Sequence, residues 1–275
     1  MLASGSSGNA IWISGGGTAV LIDAGISGKR VTTSVEDLGL NADELKAVLV
    51  THEHSDHVSG LGPVTRKLGL PAYATAGTHA AIDRRLGKCP GRVVVEAGTD
   101  FEVGGLRISP FAVTHDCVEP VGYAVTDGRA RVVVATDLGV VGHPVRHRIG
   151  QADCVVLEFN HDERMLRDGG YPWFLKQRIM GNEGHLSNEA AARELVSLAD
   201  GPISSLVLAH LSRENNTPDL ALTTAREALE RAGRGDVGIH LAEQYRPLGP
   251  VRVGEDAGRT DTYTMGAEVS CTRSR

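Results

Sequence analysis

Three histidines and an aspartate crowd into one six-residue stretch of this chain, His52-Glu53-His54-Ser55-Asp56-His57. Imidazole and carboxylate are the donors that hold a borderline divalent ion, at about 2.0–2.2 Å. The stretch follows the apolar run Ala47-Val48-Leu49-Val50 and precedes a helical pattern, so it occupies a sharp turn at a strand end. Such a turn can splay two pairs of donors toward two ions. A lone histidine there would read as a solvated loop residue, but this density does not.

The elements that must carry such a site alternate along the chain. Short apolar runs read as strands at 10–14, 19–23, 47–51, 93–97, 106–109, 123–126, 131–137, 154–159, 205–210 and 238–242, most of them bounded by Gly, Asp, Asn or Pro. Asp127-Gly128 reads as a hairpin turn, because this pair tolerates positive φ. Val31, Val35 and Leu38 recur at helical spacing ahead of Gly39, and Leu61, Val64 and Leu68 do so ahead of Gly69. Ser187 caps a helix running to about Leu198, and Thr217-Pro218 opens another that Gly233 ends. This mixture, without an internal repeat, predicts an α/β sandwich in one domain over 1–254. Residues 255–275 are polar and read as a tail, or as one edge strand through Tyr263, Met265, Ala267 and Val269.

Composition narrows the function classes. With 28 basic and 34 acidic residues the formal net charge is −6, which excludes a histone-like polycation but not an enzyme that meets phosphates through metal ions. Hydrophobic residues at 41% and charged residues at 23% exclude a disordered chain and a coiled coil. Aromatics reach only 4%, so the core must be built from Val, Leu, Ile and Ala. Cys89, Cys117, Cys154 and Cys271 show no CxxC spacing, which predicts reduced thiols in the cytoplasm. Residues 1–9 lack the features of a signal peptide, and no apolar stretch approaches about eighteen residues, so no membrane partner is expected.

The stretch His52-x-His54-x-Asp56-His57 resembles the HxHxDH signature of the metallo-β-lactamase superfamily, and the resemblance extends in that family's order along most of the chain. Leu21-Ile22-Asp23-Ala24-Gly25 looks like its early aspartate turn. Thr114-His115-Asp116, Ala135-Thr136-Asp137 and Leu208-Ala209-His210 look like its later ligand positions, although each alone is an ordinary strand-end polar group. The resemblance implies a four-layer αββα sandwich and two divalent ions, Zn²⁺ or Mn²⁺ with iron as a third option. It places His52, His54 and His115 on one ion, Asp56, His57 and His210 on the other, Asp137 as the bridge, and Asp23 as a buttress behind the metal loop. Two ions about 3.5–4 Å apart activate a shared water and clamp an in-line displacement. An Asp bridge, rather than a cysteine ligand, suits hard oxygen substrates such as phosphodiesters. With His54 intact, Glu53 reads as a supporting or surface residue.

Spacing discriminates further. The interval from Asp137 to His210 is too short for the inserted domain of β-CASP nucleases, and the intervals around His115 leave no room for the long arm of typical ribonuclease Z. The runs from Leu2 to Asn9, Glu158 to Asp162, Gly184 to Asn188 and His210 to Pro218 are similar to patterns of the YycJ/VicX/WalJ family. That resemblance implies a metal-dependent nuclease acting 5′-to-3′ on DNA. Phe159 departs from the small Ser common in that family and is expected to reshape the pocket floor. Ser7, Asn9 and Asn160 are candidate substrate contacts, against the plainer reading of turn and cap residues. The candidate catalytic residues are Asp56, His185 and His161. Related phosphodiesterases, by resemblance, place a proton-donating histidine between the positions of Asp137 and His210, and a neutral-range imidazole suits protonation of the leaving oxygen. His185 is therefore the first choice and His161 its rival. Arg164, Arg167, Lys176 and Arg178 form a small basic patch between two of these motifs. The alternatives are a small-molecule hydrolase (cyclic-phosphate phosphodiesterase, lactonase or thioester hydrolase) and a metal-binding regulator with vestigial catalysis. The acidic net charge favours the small molecule, the family motifs favour nucleic acid, and the complete ligand set argues against the regulator. Oligomeric state is open.

Overall fold

A strand buried at every position needs cover on both faces, and Thr18–Ile22, Cys154–Glu158 and Ser205–Ala209 are all of that kind. The computed structural model, which describes residues 1–197 and 200–254, supplies that cover with two stacked sheets, each backed by helices.

The first sheet runs β1 (Ile11–Gly15), β2 (Thr18–Ile22), β3 (Leu45–Leu49), β4 (Pro71–Ala74), β5 (Gly91–Val94); β1 pairs antiparallel with β2 and the rest are parallel. Between them lie α1 (Gly28–Asp37), α2 (Ser55–Val58), α3 (Leu61–Leu68) and α4 (Ala76–Leu86). The second sheet contains β6 (Phe101–Val103), β7 (Leu106–Ala112), β8 (Val121–Thr126), β9 (Arg131–Ala135), β10 (Cys154–Glu158), β11 (Ser205–Ala209) and β12 (Gly238–Leu241), in spatial order β12-β11-β10-β9-β8-β7-β6. Its first four strands are parallel, and β8, β7 and β6 complete it as an antiparallel meander. The helices of this half are α5 (His143–Ile149), α6 (Glu163–Asp168), α7 (Trp173–Met180), α8 (Asn188–Ser197) and α9 (Pro218–Arg231).

Three apolar clusters define the layers. Val31, Val35, Leu61, Val64 and Ile82 pack the helices onto Leu21, Val48 and Ala72 of the first sheet. Val20, Ile22, Leu49, Ile108, Tyr123, Val156 and Val207 fill the gap between the sheets. Val145, Leu195, Ala221, Ala225 and Leu229 seal the outer face of the second sheet through Val133, Val155 and Leu206. Side chains alternate between the two faces of a strand, so Leu21 serves one cluster while Val20 and Ile22 serve another. The result is the expected αββα sandwich.

Caps set the helix boundaries as the sequence predicts. Thr217 Oγ1 accepts from Leu220 N at 3.2 Å ahead of Pro218, and Ser187 Oγ accepts from Ala190 N at 3.1 Å. Gly128, with φ +88, turns the β8–β9 hairpin. The sequence reading omits β4, β6, α2 and α4 to α7, and it places β5 two residues late. These elements are short or carry weak periodicity; β4 is four residues beginning with proline and β6 has three. The expected tail or edge strand at 255–275, with Cys271, lies outside the described residues. No disulfide joins the described cysteines, and no described helix is long and apolar enough to cross a membrane.

Candidate metal centre

The carboxyl ends of β2, β3, β7, β9, β10 and β11 open on one rim of the sandwich, where ligands collect in sheets of this kind. Three residues on this rim, Asp23 (φ +60), Asp137 (φ +59) and His210 (φ +56), hold the left-handed backbone conformation, and they are the non-glycine residues that do so among those described. Each follows a strand directly or by one residue. The reversal of backbone twist there directs the side chain inward over the rim instead of along the strand.

The loop after β3 is fixed from behind by Asp23. Its Oδ1 accepts from Thr51 N at 2.8 Å, and its Oδ2 accepts from Thr51 Oγ1 and His57 Nδ1, both at 2.8 Å. Donation from Nδ1 turns the His57 Nε2 atom toward Asn9 Nδ2 at 3.1 Å, Asp56 Oδ2 at 3.3 Å and Asp137 Oδ2 at 3.4 Å. Gly25 lets the backbones close up: a Cβ there would lie 1.6 Å from the Asp56 carbonyl oxygen, to which Asn9 N donates at 2.7 Å.

Two donor clusters result. In the first, His54 Nδ1 lies 3.3 Å from His115 Nε2, while His115 Nδ1 donates to the Gly184 carbonyl at 3.0 Å. His52 Nε2 is buried with no hydrogen-bond partner, and His52, His54 and His115 converge. In the second, His210 Nε2 lies 3.3 Å from Asp56 Oδ2, with His57 completing the group. Asp137 stands between them: Oδ1 is 3.4 Å from His210 Nε2 and 3.8 Å from His115 Nε2, and buried Oδ2 has no hydrogen-bond partner. Donors about 2.0–2.2 Å from a shared tetrahedral ion stand roughly 3.4 Å from one another, so these spacings fit divalent metal. Facing donors and unpartnered buried polar atoms are also the pattern that a bound cation would satisfy.

The electrostatics run the same way. Burial and the neighbouring imidazoles, His57 first, hold His52 well below the usual histidine range, and burial holds His115 down as well. Both are therefore neutral donors. Burial would also lower His57 and His210, but the surrounding carboxylates, Asp137 first, together outweigh it and raise both. Burial would raise Asp56 and Asp137; facing imidazoles keep both carboxyls far below the usual range.

A further carboxylate, which the sequence reading passes over, organises the open side. Glu158 ends β10 fully buried. Its Oε2 accepts from Leu138 N at 2.8 Å and from Leu186 N at 3.3 Å. Its Oε1 accepts from His185 Nδ1 at 2.6 Å and lies 3.4 Å from His210 Nδ1. Burial alone would lower His185, yet the Glu158 charge and hydrogen bond raise it above the ordinary value. His161 is buried against Asn160, and burial takes it down to about 4. Gly184 brings the His185 segment close, since a Cβ there would meet the Ile179 carbonyl at 2.2 Å.

A cavity of about 360 Å³ opens over the donors, with Ser6, Ser55, Asn160, Tyr171, Arg178 and Ser212 in its walls. His185 reaches it and His161 does not. Asn160 Nδ2 donates to the His210 carbonyl at 3.0 Å, so this residue both lines the cavity and orients a donor. Ser7 is exposed with its N–H donated to Gln244, and its neighbour Ser6 faces the cavity instead. Asn9 is buried against Asp56, 3.3 Å from Oδ2. Phe159 does not form the pocket floor; it is fully buried in the core between the second sheet and its helices, because the side chain after Glu158 points to the opposite face. Glu53 Oε1 accepts from Val118 N at 2.8 Å, clamping the loop that carries His115. Cys117 Sγ lies 3.5 Å from His54 Nε2, a contact that no sequence motif signals. Burial and nearby carboxylates, Glu53 first, push its thiol up.

Two helix-backed sheets with His/Asp clusters on a shared rim define a metal-dependent hydrolase of the metallo-β-lactamase fold. Residues 18–211 match the Beta-lactamase superfamily domain, and the chain belongs to that superfamily. It is 37% identical over 237 residues to the exodeoxyribonuclease YycJ of Bacillus anthracis, covering 86% of this chain and 90% of that one. It is 38% identical over 243 residues to the exodeoxyribonuclease WalJ of Streptococcus pneumoniae, covering 87% and 90%. Among solved structures, the metallo-β-lactamase fold protein YhfI of Bacillus subtilis superposes with a TM-score of 0.67 at 18% identity, over 88% of this chain and 94% of that chain, a likeness of fold.

Proposed function

We propose that this protein is a dinuclear phosphodiesterase, using Zn²⁺ or Mn²⁺, that degrades DNA from a 5′ end. The observation that carries the reading is the pair of donor clusters sharing Asp137 beneath a cavity that the Glu158–His185 pair overlooks. The similarity to two exodeoxyribonucleases over most of the chain supports DNA as the substrate.

His52, His54 and His115 would hold one ion, Asp56, His57 and His210 the other, with Asp137 between them. Ions bound there would supply Lewis-acid charge and lower the pKa of a shared water. Asp23 fixes the His57 tautomer, and the Gly184 carbonyl does the same for His115. His185 serves as the proton donor. Its Nδ1–H is held by Glu158, so the proton passes from Nε2 to the departing oxygen, and the carboxylate stabilises the charged imidazole beforehand. His161, neutral near pH 7, is left without that role. Ser6, Asn160, Ser212 and Arg178 offer polar groups to the phosphate.

The test is elemental analysis of the protein, followed by incubation with end-labelled single- and double-stranded DNA and RNA, a generic phosphodiester and a lactone, under Mn²⁺ and Zn²⁺. Metal content of about two ions and stepwise release from the 5′ end of DNA are expected. Turnover of the lactone alone, or no retained divalent metal, overturns the proposal.

A further inference from the structure

The cluster of His52, His54 and His115 has a fourth neighbour that the proposed chemistry leaves unused. Cys117 lies two residues beyond His115, and its N–H donates to the His115 carbonyl at 2.8 Å. This i→i+2 bond closes a tight three-residue turn, which folds Cys117 back toward the histidines. The turn is held on both sides. Glu53 Oε1 accepts from Val118 N at 2.8 Å, and the Thr114 carbonyl accepts from Gly139 N at 2.8 Å. Cys117 is thus delivered to the cluster by a loop that Glu53, from the histidine run itself, clamps in place.

His52, His54, His115 and Cys117 each offer a donor atom, all within 4.8 Å of one another. His54 faces two of these partners, with Nδ1 3.3 Å from His115 Nε2 and Nε2 3.5 Å from Cys117 Sγ. Sulfur at about 2.3 Å and nitrogen at about 2.0–2.1 Å from one tetrahedral Zn²⁺ stand about 3.5 Å apart. His52 is 1% exposed, and its Nε2 has no hydrogen-bond partner although it belongs to the same group. Asp116, between His115 and Cys117, brings Oδ1 within 3.5 Å of His115 Nε2, but its Oδ2 accepts from Arg178 Nε at 2.5 Å and its oxygens are hard donors. His54, His115 and Asp116 line the cavity and Cys117 does not, so the sulfur takes no space from a substrate. The second cluster of Asp56, His57 and His210 carries a carboxylate where the first carries a thiol.

We propose that Cys117 is a fourth donor to the ion at His52, His54 and His115, and that its sulfur commits this position to Zn²⁺ while the position at Asp56, His57 and His210 takes Mn²⁺ as readily. The inference rests on the dinuclear reading and specifies which metal each half holds. Thiolate selects Zn²⁺, whereas carboxylate suits Mn²⁺, so the two positions differ although Asp137 stands between them. The Sγ proton leaves to solvent as the sulfur–metal bond forms, since a coordinating thiol is deprotonated outright.

The experiment titrates the metal-free chain with Co²⁺, which stands in for Zn²⁺ and reports a thiolate ligand as an intense near-ultraviolet charge-transfer band. The wild type should show that band with the first equivalent, and Cys117→Ser should lose it while keeping the visible cobalt bands. Chelator competition should find Zn²⁺ affinity lowered by at least about 10- to 100-fold in the variant, with Mn²⁺ affinity changed by less than about threefold. X-ray absorption of the wild type loaded with one equivalent of Zn²⁺ needs no variant and should place a sulfur at about 2.3 Å. Cobalt bound without the charge-transfer band, a band that survives in Cys117→Ser, or a zinc shell without sulfur overturns the proposal. Equal losses of Zn²⁺ and Mn²⁺ overturn it too, because a residue that only orients His54 would give that result. A wild type that takes up no divalent ion overturns the dinuclear reading as well, and one that takes up a single ion with the charge-transfer band overturns that reading alone.

Discussion

Replacing Glu158 by glutamine isolates the proton donor from the metal ligands. The amide keeps the volume of the buried side chain, and its oxygen can still accept from Leu138 N and Leu186 N, as Oε2 does now. What changes is the atom facing His185 Nδ1 at 2.6 Å, which becomes an NH₂ group. That group demands an acceptor, so Nδ1 loses its hydrogen and a charged His185 would set N–H against N–H. Loss of a charge-assisted hydrogen bond costs about 1.5–3 kcal/mol, which corresponds to roughly 10- to 150-fold in rate. Trapping the wrong tautomer adds to this, so kcat on DNA should fall by about 10²–10³, within the range for general acid catalysis. A p-nitrophenolate leaving group needs no proton, so hydrolysis of bis(p-nitrophenyl) phosphate should change less than about fivefold. The pH dependence moves in a defined direction. A donor must be protonated, so activity on DNA falls as pH rises through the His185 pKa, which Glu158 holds above the ordinary histidine value; without that carboxylate the fall comes at lower pH. Steady-state kinetics on both substrates, with metal content measured because His210 Nδ1 also faces Glu158, gives the answer. Equal losses on both substrates with metal retained, or an unchanged kcat on DNA, would refute the assignment.

Four other expectations can be checked quickly. His185→Ala should keep its metal by elemental analysis and lose about 10²–10⁴ in kcat on DNA. Asp137→Ala should lose metal and activity together, because both clusters meet at that side chain. Gly25→Ala places a Cβ 1.6 Å from the Asp56 carbonyl oxygen, so the loop must shift; thermal unfolding should show a loss of at least about 1–3 kcal/mol, with reduced metal content. Thr217→Ala removes only the cap of α9 and should cost about 1 kcal/mol with kcat unchanged.

The donor set was legible because it is local. His52 to His57 sit within one turn, and strand ends at His115, Asp137 and His210 carry the rest by resemblance. The αββα architecture followed from apolar runs long enough to show their period. Glu158 was not legible as a positioning group: its partners Leu138, His185 and His210 come from three other segments, and one carboxylate after an apolar run looks like any other. Ser7 and Ser6 differ by a single residue, which sequence spacing cannot resolve, whereas Gln244 decides it by capturing the Ser7 amide. Phe159 looks like a pocket residue only because it replaces a small one; alternation along β10 points it into the core. Helices α5 to α7 escaped because short elements owe their stability to packing more than to propensity, and α4 because its apolar positions show little helical period.

The left-handed backbone at Asp23, Asp137 and His210 sets up a conflict for anyone seeking to improve this protein. Such a conformation costs a side-chain-bearing residue about 1–2 kcal/mol, and glycine at the same place would shed that cost. At Asp23, though, glycine would also strip the hydrogen bonds to Thr51 N, Thr51 Oγ1 and His57 Nδ1, each worth about 0.5–1.5 kcal/mol. The strained turn is therefore held in place by the contacts of the very side chain it aims, and a thermostability screen would keep aspartate there.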